Sequence, residues 1–522
     1  MDHEHGLEGE RRHLVVLSDV HLGTAAPTVW FQPPVHGPAL AQLLRWVVDQ
    51  ASHIRELVLL GDVVDLWTYP ADAVPPTFAD VVAANPEVLG PDGLVASCLD
   101  ALDGAVTYVP GNHDLGVTAE EVAMVRSRDG HRLRHVADVP YRPAPGLLVE
   151  HGHHHTMFNA PVDHGPWAPL PLGYFVTRAV ATMWDRRLAE DQTVADLPDQ
   201  GAPNGLDLGA LGAVASGIGS VSIAAALVDI VSGSTKVGLD EPIRMPDGST
   251  ATLRQAREVY ADAWTRWSDA NGGGLAGYGA AFRATMADAD GTYLGWFAQQ
   301  RALRHGAELV VMGHTHVPVG GLEDALVDYL NSGFDCPSRP DQEREVAPQR
   351  VTFVVVDLEP PDSVDGEPEG AVWAVGPDGV GPIDAPATRV VGDRGHDYSC
   401  YVVVDATAAF HDLVRTGFGA ANGAWVVEPP ERIAAGDEGR FWLQDLLGAA
   451  GSDGWATYVR VDGEGTPVEG LDPIELRFAC PTVGTNSCSG WSTFATRSGS
   501  DPWVDQRTAH WGHPFSVAYE VR

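Results

Sequence analysis

Five short polar clusters, each placed directly after an apolar run, carry side chains that can bind metal ions. They are Ser18-Asp19-Val20-His21, Gly61-Asp62-Val63-Val64-Asp65, Gly111-Asn112-His113-Asp114, His151-Gly152-His153 and Gly313-His314-Thr315-His316. Any one cluster is weak evidence, because a polar residue after an apolar run is usually part of a turn. Together they supply carboxylate, amide and imidazole groups and no thiolate, a ligand set that suits divalent Mn, Fe or Zn.

Two such ions about 3.5–4 Å apart can clamp a phosphoryl group and convert a bridging water into hydroxide. The chemistry indicated by the clusters is therefore metal-dependent hydrolysis of a phosphoester bond.

The apolar runs before the clusters predict buried strands at 14–17, 57–60, 106–109, 147–149 and 309–312. Strands that are buried on both faces imply a sheet covered by helices, and ligands of such sheets collect at the carboxyl ends of the strands. We therefore expect the five clusters to converge.

The order D-x-H, G-D-x-x-D, G-N-H-D, H and G-H-x-H resembles that of the calcineurin-like metallophosphoesterases. The resemblance implies one metal held by Asp19, His21 and His316, a second held by Asn112, His151 and His314, and a carboxylate, Asp62, shared by both. It also implies that His113 donates a proton to the leaving oxygen or stabilises charge in the transition state, and that Asp114 orients the imidazole of His113. Asp65 would contact the metal ligands rather than the metal ions.

The segments around Asp19 and Asp62 look most similar to the branch that includes UDP-2,3-diacylglucosamine pyrophosphatase. Relatives in that branch often read His-Gly-His-x-Tyr-Asp-x-x-Asn at the fourth cluster, where this chain has Thr156 in place of the Asp. We expect His153 and Asn159 to support the ligands or to face the substrate. His154 and His155 could contact phosphate or lie solvated on a loop, and the solvated alternative is favoured.

Composition predicts a soluble, multidomain intracellular protein, and we expect it in the cytoplasm, with a peripheral membrane location left open. The chain has 522 residues, and its 71 acidic against 33 basic residues give a formal charge of −38. Such a surface repels polyanions, so nucleic acid is an unexpected partner. The charged start of the chain does not resemble a secretory signal.

The long stretch between the fourth and fifth clusters exceeds what a simple connection needs. We therefore predict a mostly helical insertion or cap at 166–300 within a discontinuous catalytic domain at 1–165 and 301–380. Residues 208–228 form an uncharged run that is long enough to cross a bilayer but rich in Gly, Ala and Ser. We expect a buried cap helix or one that grazes lipid, rather than a span.

From about residue 389 the chain changes to short aromatic-bearing strands separated by Gly, Asp and Pro turns, which predicts a β-sandwich at 389–522. Trp425-Val426-Val427-Glu428-Pro429-Pro430, Gly454-Trp455-Ala456-Thr457-Tyr458 and the segment 478–486 resemble aegerolysins. That resemblance implies contact with membrane lipids. Six tryptophans could form an interfacial set, although packing in the core is the favoured alternative: Trp425, Trp442, Trp455, Trp491, Trp503 and Trp511.

The expected fold class is α/β, with a metallophosphoesterase β-sandwich core flanked by helices, a helical insertion and a separate C-terminal all-β sandwich. The expected function is a phosphoesterase that uses two divalent ions, with Mn the first choice in vitro. It would hydrolyse a phosphomonoester, a phosphodiester or a pyrophosphate. The substrate would be a small molecule or a lipid, and nucleotide-linked substrates also remain open. The alternative is a lipid-binding or pore-type protein with a regulatory phosphoesterase domain.

Overall fold

The architecture is that of a computed structural model. It describes residues 7–137, 139–197, 223–270, 292–323, 325–334, 351–360, 367–377, 379–389, 397–446, 450–489, 491–492, 503–506 and 512–522.

The strands, in chain order, are β1 (His13–Ser18), β2 (Ile54–Leu60), β3 (Val106–Val109), β4 (Arg134–His135), β5 (Leu147–Val149), β6 (Ile243–Arg244), β7 (Thr250–Ala251), β8 (Leu309–Met312), β9 (Leu322–Glu323), β10 (Asp328–Asn331), β11 (Val351–Asp357), β12 (Glu369–Gly376), β13 (Gly379–Pro382), β14 (Thr388–Arg389), β15 (Cys400–Asp405), β16 (Asp412–Asn422), β17 (Ala424–Val427), β18 (Arg432–Ile433), β19 (Glu438–Gln444), β20 (Ser452–Val461), β21 (Ile474–Cys480), β22 (Ser487–Cys488), β23 (Trp491–Ser492), β24 (Trp503–Gln506) and β25 (Phe515–Glu520). The helices are α1 (Pro33–Asp49), α2 (Phe78–Ala84), α3 (Pro86–Leu89), α4 (Leu94–Ala101), α5 (Ala119–Val122), α6 (Leu172–Arg187), α7 (Ile223–Thr235), α8 (Leu253–Val259), α9 (Ala263–Ala270) and α10 (Thr292–His305).

Two sheets build the N-terminal part. The larger has the order β13-β12-β11-β1-β2-β3-β4, with β1 to β4 parallel and β11 antiparallel to β1; the smaller, β10-β8-β5, is parallel throughout. Apolar side chains from both sheets, such as Val16, Val58 and Val311, share one buried cluster. The mixed α/β class predicted from the sequence is confirmed.

Helices cover the outer faces of these sheets. In α1 the buried residues Leu40, Leu43, Leu44 and Val47 recur at helical spacing, and they belong to the same apolar cluster as the outer face of the larger sheet. Helix α10 packs on β8 and β10 of the smaller sheet. Both sheets are therefore buried on two faces, and their polar groups emerge at the strand ends.

Helices α6 to α10 fall between the fourth and fifth sequence clusters. Of the uncharged run 208–228, positions 208–222 lie outside the described residues. The remainder begins α7, whose Ile223, Leu227, Val228 and Val231 are buried in a protein core that includes Phe175 of α6. No helix in the described part of the chain has the length and apolar character needed to cross a membrane.

The described residues from 397 onward are all-β. A sheet of order β17-β19-β15-β25-β24-β23 and a sheet of order β18-β16-β20-β21-β22 enclose a core that contains Val402, Phe441, Tyr458 and Phe478. Within this core Cys480 is buried as a free thiol.

Helix α10 joins this β region to the rest of the protein. Trp296 Nε1 donates a hydrogen bond of 2.6 Å to Asp397 Oδ2, and the Arg304 guanidinium lies 5.5 Å from the ring centroid of Trp442. Arg440 of β19 donates to the backbone oxygen of Ala307 at 2.9 Å, just beyond the helix. The two parts of the chain therefore meet over one helix.

Candidate metal centre

All five polar clusters meet where the two sheets end. Asp19 follows β1, Asp62 follows β2, Asn112 follows β3, His151 follows β5 and His314 follows β8. The central residues of these strands are mostly apolar and buried, and polar side chains that follow parallel strands lie at the same edge of the sheet.

The backbone at this edge has an unusual conformation. The backbone φ angles of Asp19, His21, Asp62, His314 and His316 all lie between +51° and +73°. Left-handed conformations are uncommon for residues other than glycine, and they concentrate at functional sites, where the surrounding structure holds them. Five of them at one place indicate a site whose geometry is imposed by the fold.

The first group comprises Asp19, His21 and His316. The Nε2 atoms of the two imidazoles are 3.2 Å apart, and His316 Nε2 lies 3.6 Å from Asp19 Oδ1. One ligand atom from each residue lies within 4.8 Å of the others, which is close enough to hold a single ion. The backbone N–H of His314 donates to Asp19 Oδ1 at 2.9 Å and fixes that carboxylate.

The second group comprises Asp62, His151 and His314, with the same mutual limit of 4.8 Å between ligand atoms. Asp62 Oδ2 lies 3.2 Å from His151 Nε2 and 3.8 Å from His21 Nε2, so its carboxylate stands between the two groups. Asn112 lines the same cavity as Asp62 and His314, and its buried Oδ1 has no hydrogen-bond partner within the described structure.

The imidazole orientations favour metal binding. His151 Nδ1 lies 3.2 Å from the carbonyl oxygen of Leu60. Because a carbonyl only accepts, this nitrogen carries a proton, and Nε2 is the nitrogen that faces Asp62. Burial disfavours the charged ring, yet the carboxylate of Asp62 raises the pKa of His151 to about 9, so Nε2 also holds a proton until a metal ion displaces it. His21 Nδ1 lies within ion-pair distance of Asp65 Oδ2, at 3.4 Å.

His113 is oriented by Asp65, and the expectation that Asp114 does so is wrong. His113 Nδ1 lies 3.1 Å from Asp65 Oδ1. The carboxylate of Asp114 instead accepts from the backbone N–H groups of Gly111 and Val63. The difference arises because the turn after β3 points Asp114 back into its own loop, where it holds the backbone.

Two tryptophans enclose His113, and the sequence analysis did not single them out. Trp67 stacks on the imidazole at a centroid distance of 4.7 Å, and Trp30 lies 4.8 Å away and also contacts His21 at 4.4 Å. The position of Trp67 two residues after Asp65 is a local signal that could have found it. Trp30 has no such signal, because it sits in the loop before α1 and reaches the site only through the fold.

Burial and mutual charge dominate the electrostatics. Burial raises the pKa of Asp19 to about 7, and burial together with the charge of Asp62 raises the pKa of Asp114 to about 6. Burial also disfavours the charged imidazole of His113, yet the carboxylates of Asp65 and Asp62 raise its pKa above the ordinary value. Divalent cations would offset the cost of keeping buried carboxylates ionised, so this set of residues fits metal ions.

The turn His153–His155 lies next to the second group. The ring of His153 is buried 5.4 Å from that of His151, and both of its nitrogens lack a hydrogen-bond partner in the portion of the chain that is described. His154 is exposed. The solvated alternative is wrong for His155, which is buried, donates a hydrogen bond of 2.6 Å from Nε2 to Glu150 Oε1, and stacks on Phe297.

Two residues after this turn contact His314. Thr156 Oγ1 lies 3.1 Å from His314 Nε2, and Asn159 Nδ2 lies 3.4 Å from the same nitrogen. The hydroxyl of Thr156 therefore lies beside the second group of candidate ligands.

A cavity of about 180 Å³ opens over the site. Its polar floor is formed by Asp62, Asn112, His113, His314 and His316. Asn159 and residues of α6 form its sides.

The tryptophans of the C-terminal region have different environments. Trp442 is buried against Leu303 and Tyr401 at the contact with α10, and Trp425 packs on Phe418. Trp455 is 38% exposed. Trp511 and the side chains of Trp491 and Trp503 lie outside the description.

Comparison with known proteins gives little beyond this geometry. No family model matches the chain, and no curated protein matches it. One solved structure that is similar is a dimetal phosphatase from Danio rerio, with 10% sequence identity and a TM-score of 0.26, over 72% of this chain and 98% of that one. The backbone overlap with that structure is slight.

Proposed function

We propose that the protein is a phosphoesterase that works with two divalent metal ions. The observation that carries the proposal is the position of Asp62, whose Oδ2 is 3.2 Å from His151 Nε2 and 3.8 Å from His21 Nε2. A carboxylate between two ligand groups can serve both, as a dinuclear hydrolase needs.

Asp19, His21 and His316 would hold one ion, Asn112, His151 and His314 the other, and Asp62 both. When bound, such a pair lowers the pKa of a water molecule and neutralises charge on the phosphoryl oxygens. Mn, Fe and Zn suit the ligands, and Mn is the first choice for assays.

His113 would supply the proton that the leaving oxygen needs. Its Nδ1 is held by Asp65, so the opposite nitrogen of the ring is the one that can face a substrate. The carboxylates nearby raise the pKa of His113, which favours the protonated form. Trp67 and Trp30 pack against the ring and keep bulk water from it.

The test is hydrolysis by purified protein with Mn²⁺, assayed on a phosphomonoester, a phosphodiester and a nucleotide-linked pyrophosphate. We expect turnover of at least one substrate, lost in His314→Ala and retained in His154→Ala, which removes an exposed imidazole of the same chemistry. Absence of turnover on every substrate, with metal bound, would contradict the proposal.

We also propose, separately, that the C-terminal β region contacts membrane lipid, as aegerolysin-like proteins would. The supporting observation is that Phe410 and Val483 are 86% and 88% exposed. Full-length protein should sediment with phospholipid vesicles, and a Phe410→Ser/Val483→Ser variant should sediment less. Failure to sediment across anionic and zwitterionic vesicles would count against it.

A further inference from the structure

One wall of the cavity over the metal centre is built from a single face of α6. Gly173, Val176, Thr177, Val180 and Trp184 line it. Their spacing of three or four residues places them along one side of the helix. This face is apolar apart from one threonine hydroxyl, and it lines the same cavity as the polar floor.

Two more apolar side chains extend this wall. Leu227 comes from α7 and Phe158 from the segment after the turn His153–His155. Both helices are held in a common apolar core, in which Phe175 of α6 and Val231 of α7 are fully buried. The wall is therefore a fixed part of the fold.

No Lys or Arg is among the residues that line this cavity within the described chain. Arg178 of α6 directly follows Thr177, which lines the cavity. Its side chain is fully buried and its hydrogen-bond donors are already used. Its five N–H groups donate to the carbonyl oxygens of Tyr69, Pro70, Ala73 and Arg244 and to the hydroxyl of Tyr174, all at 2.6–2.7 Å. It has no donor left for an anionic group of a substrate.

We propose that the preferred substrate of this site is a phosphoester that carries an uncharged, apolar group directly beside the phosphate. The metal ligands would take the phosphate, and the wall of α6 would take the apolar group. The wall offers no cation for a second phosphate and few polar atoms for a sugar or a base. This inference rests on the proposed function and narrows its substrate.

The reaction is hydrolysis. The oxygen of water forms a bond to phosphorus, the ester P–O bond breaks, and the leaving oxygen takes a proton. No oxidant or further co-reactant is needed.

The first test compares two diesters that share the leaving group p-nitrophenolate. One is p-nitrophenyl phenyl phosphate and the other is thymidine 5′-(p-nitrophenyl) phosphate, both assayed with the Mn²⁺-loaded full-length protein. An apolar group of ring size in an apolar pocket is worth at least about tenfold, so we expect kcat/KM to be higher for the phenyl diester by that factor. Equal rates, or preference for the nucleoside, would overturn the inference and leave the phosphoesterase proposal standing. Hydrolysis of neither diester, with turnover of phenyl phosphate no faster than that of thymidine 5′-phosphate, would overturn the inference alone. Absence of turnover on these monoesters as well would count against both proposals.

A binding measurement adds a readout that does not depend on turnover. Trp30 and Trp184 line the cavity, so occupancy should change tryptophan fluorescence. Phenylphosphonate should bind at least about tenfold more tightly than methylphosphonate. Equal affinities would contradict the inference.

The variant test uses the half-buried Val176. Val176→Thr keeps the shape of the side chain and adds a hydroxyl to the wall, so the preference for the phenyl compounds should fall about threefold or more. The matched control is Val48→Thr on α1, which is also half-buried but lies away from the cavity. The inference fails if both variants keep the preference of the unchanged protein.

The apolar group could belong to a soluble metabolite or to a lipid. Phosphatidic acid in phosphatidylcholine vesicles provides the lipid arm, and phenyl phosphate provides the soluble arm. Turnover of either supports the apolar class, and the faster of the two identifies the source. Turnover of neither, with hydrolysis of the thymidine diester and no preference for the phenyl diester, would refute it.

Discussion

The replacement Asp62→Asn tests the shared carboxylate most directly. Asparagine has nearly the same shape, and its Oδ1 can still accept the 2.7 Å hydrogen bond that the backbone N–H of His113 now donates to Asp62 Oδ1. The change therefore removes charge and one ligand oxygen while the loop after β3 keeps its contact. The oxygen that is lost is Oδ2, which faces His151 and His21.

The size of the effect follows from the number of ligand groups. An ion that binds only the folded state stabilises it by about 1.4 kcal/mol for each tenfold increase in free metal above its Kd. Two groups of ligands therefore predict about 2.7 kcal/mol per tenfold for the unchanged protein. If Asp62 serves both ions, the variant should show about 1.4 kcal/mol per tenfold or less.

The assay is urea unfolding at a series of buffered Mn²⁺ concentrations, with bound metal counted by elemental analysis. The control Asp49→Asn removes an exposed carboxylate at the end of α1 and should keep the full slope. Turnover should be lost in Asp62→Asn alone. An Asp62→Asn protein with two bound ions, an unchanged slope and normal turnover would refute the assignment of a shared ligand.

Four further outcomes are expected. His113→Ala should keep the metal-dependent slope but lower kcat by about 100-fold or more, and a normal kcat would rule out its role as proton donor. Gly111→Ala should lose bound metal, because a Cβ there would collide with the carboxylate of Asp62. The control Gly37→Ala should retain its metal, because a Cβ at that position meets nothing within 4 Å. Equal metal content in the two variants would contradict this prediction. Trp442→Ala should lower the free energy of unfolding by about 3–5 kcal/mol, since it empties the contact with α10, and a change below about 1 kcal/mol would show that this contact is weak. Burial lowers the pKa of His13, so the unfolded chain takes up a proton before the folded protein does as the pH falls through about 6.5, and the free energy of unfolding decreases. His13→Gln should weaken this pH dependence, measured by urea unfolding between pH 7.5 and 5.5. The same pH dependence in the variant and the unchanged protein would contradict the prediction.

Helix α10 connects several of these features. On one side Arg301 Nη2 lies 3.1 Å from Glu150 Oε2, directly before the proposed ligand His151, and Phe297 stacks on His155. On the other side its residues contact the C-terminal β region. The same helix therefore contacts the loop of a proposed metal ligand and the all-β part of the chain.

The sequence could predict the strands before each cluster and the chemical nature of the ligands. Runs such as 14–17 and 309–312 are short, apolar and rich in β-branched residues, which favours buried strands, and a carboxylate or imidazole after them is a local feature. The sequence could not predict which carboxylate orients His113. That depends on the turn after β3, which sends Asp114 to the backbone of Gly111 and leaves Asp65 beside the imidazole.

The environment of His155 shows the same limit. A run of three histidines gives no indication of which ring is buried, because that depends on Phe297 and Glu150, which approach from elsewhere in the fold. Trp30 is a further example, since it reaches the site from a loop without regular spacing.

By itself the sequence determined the mixed α/β character, the acidic surface and the set of groups available to bind metal, because each depends on residue type and local periodicity. Only the tertiary structure decided how these groups are arranged around one another, which of their neighbours orient them and that an apolar helix face lines the same cavity. Distances between residues far apart in the chain are set by how sheets and helices pack, and no local pattern encodes them.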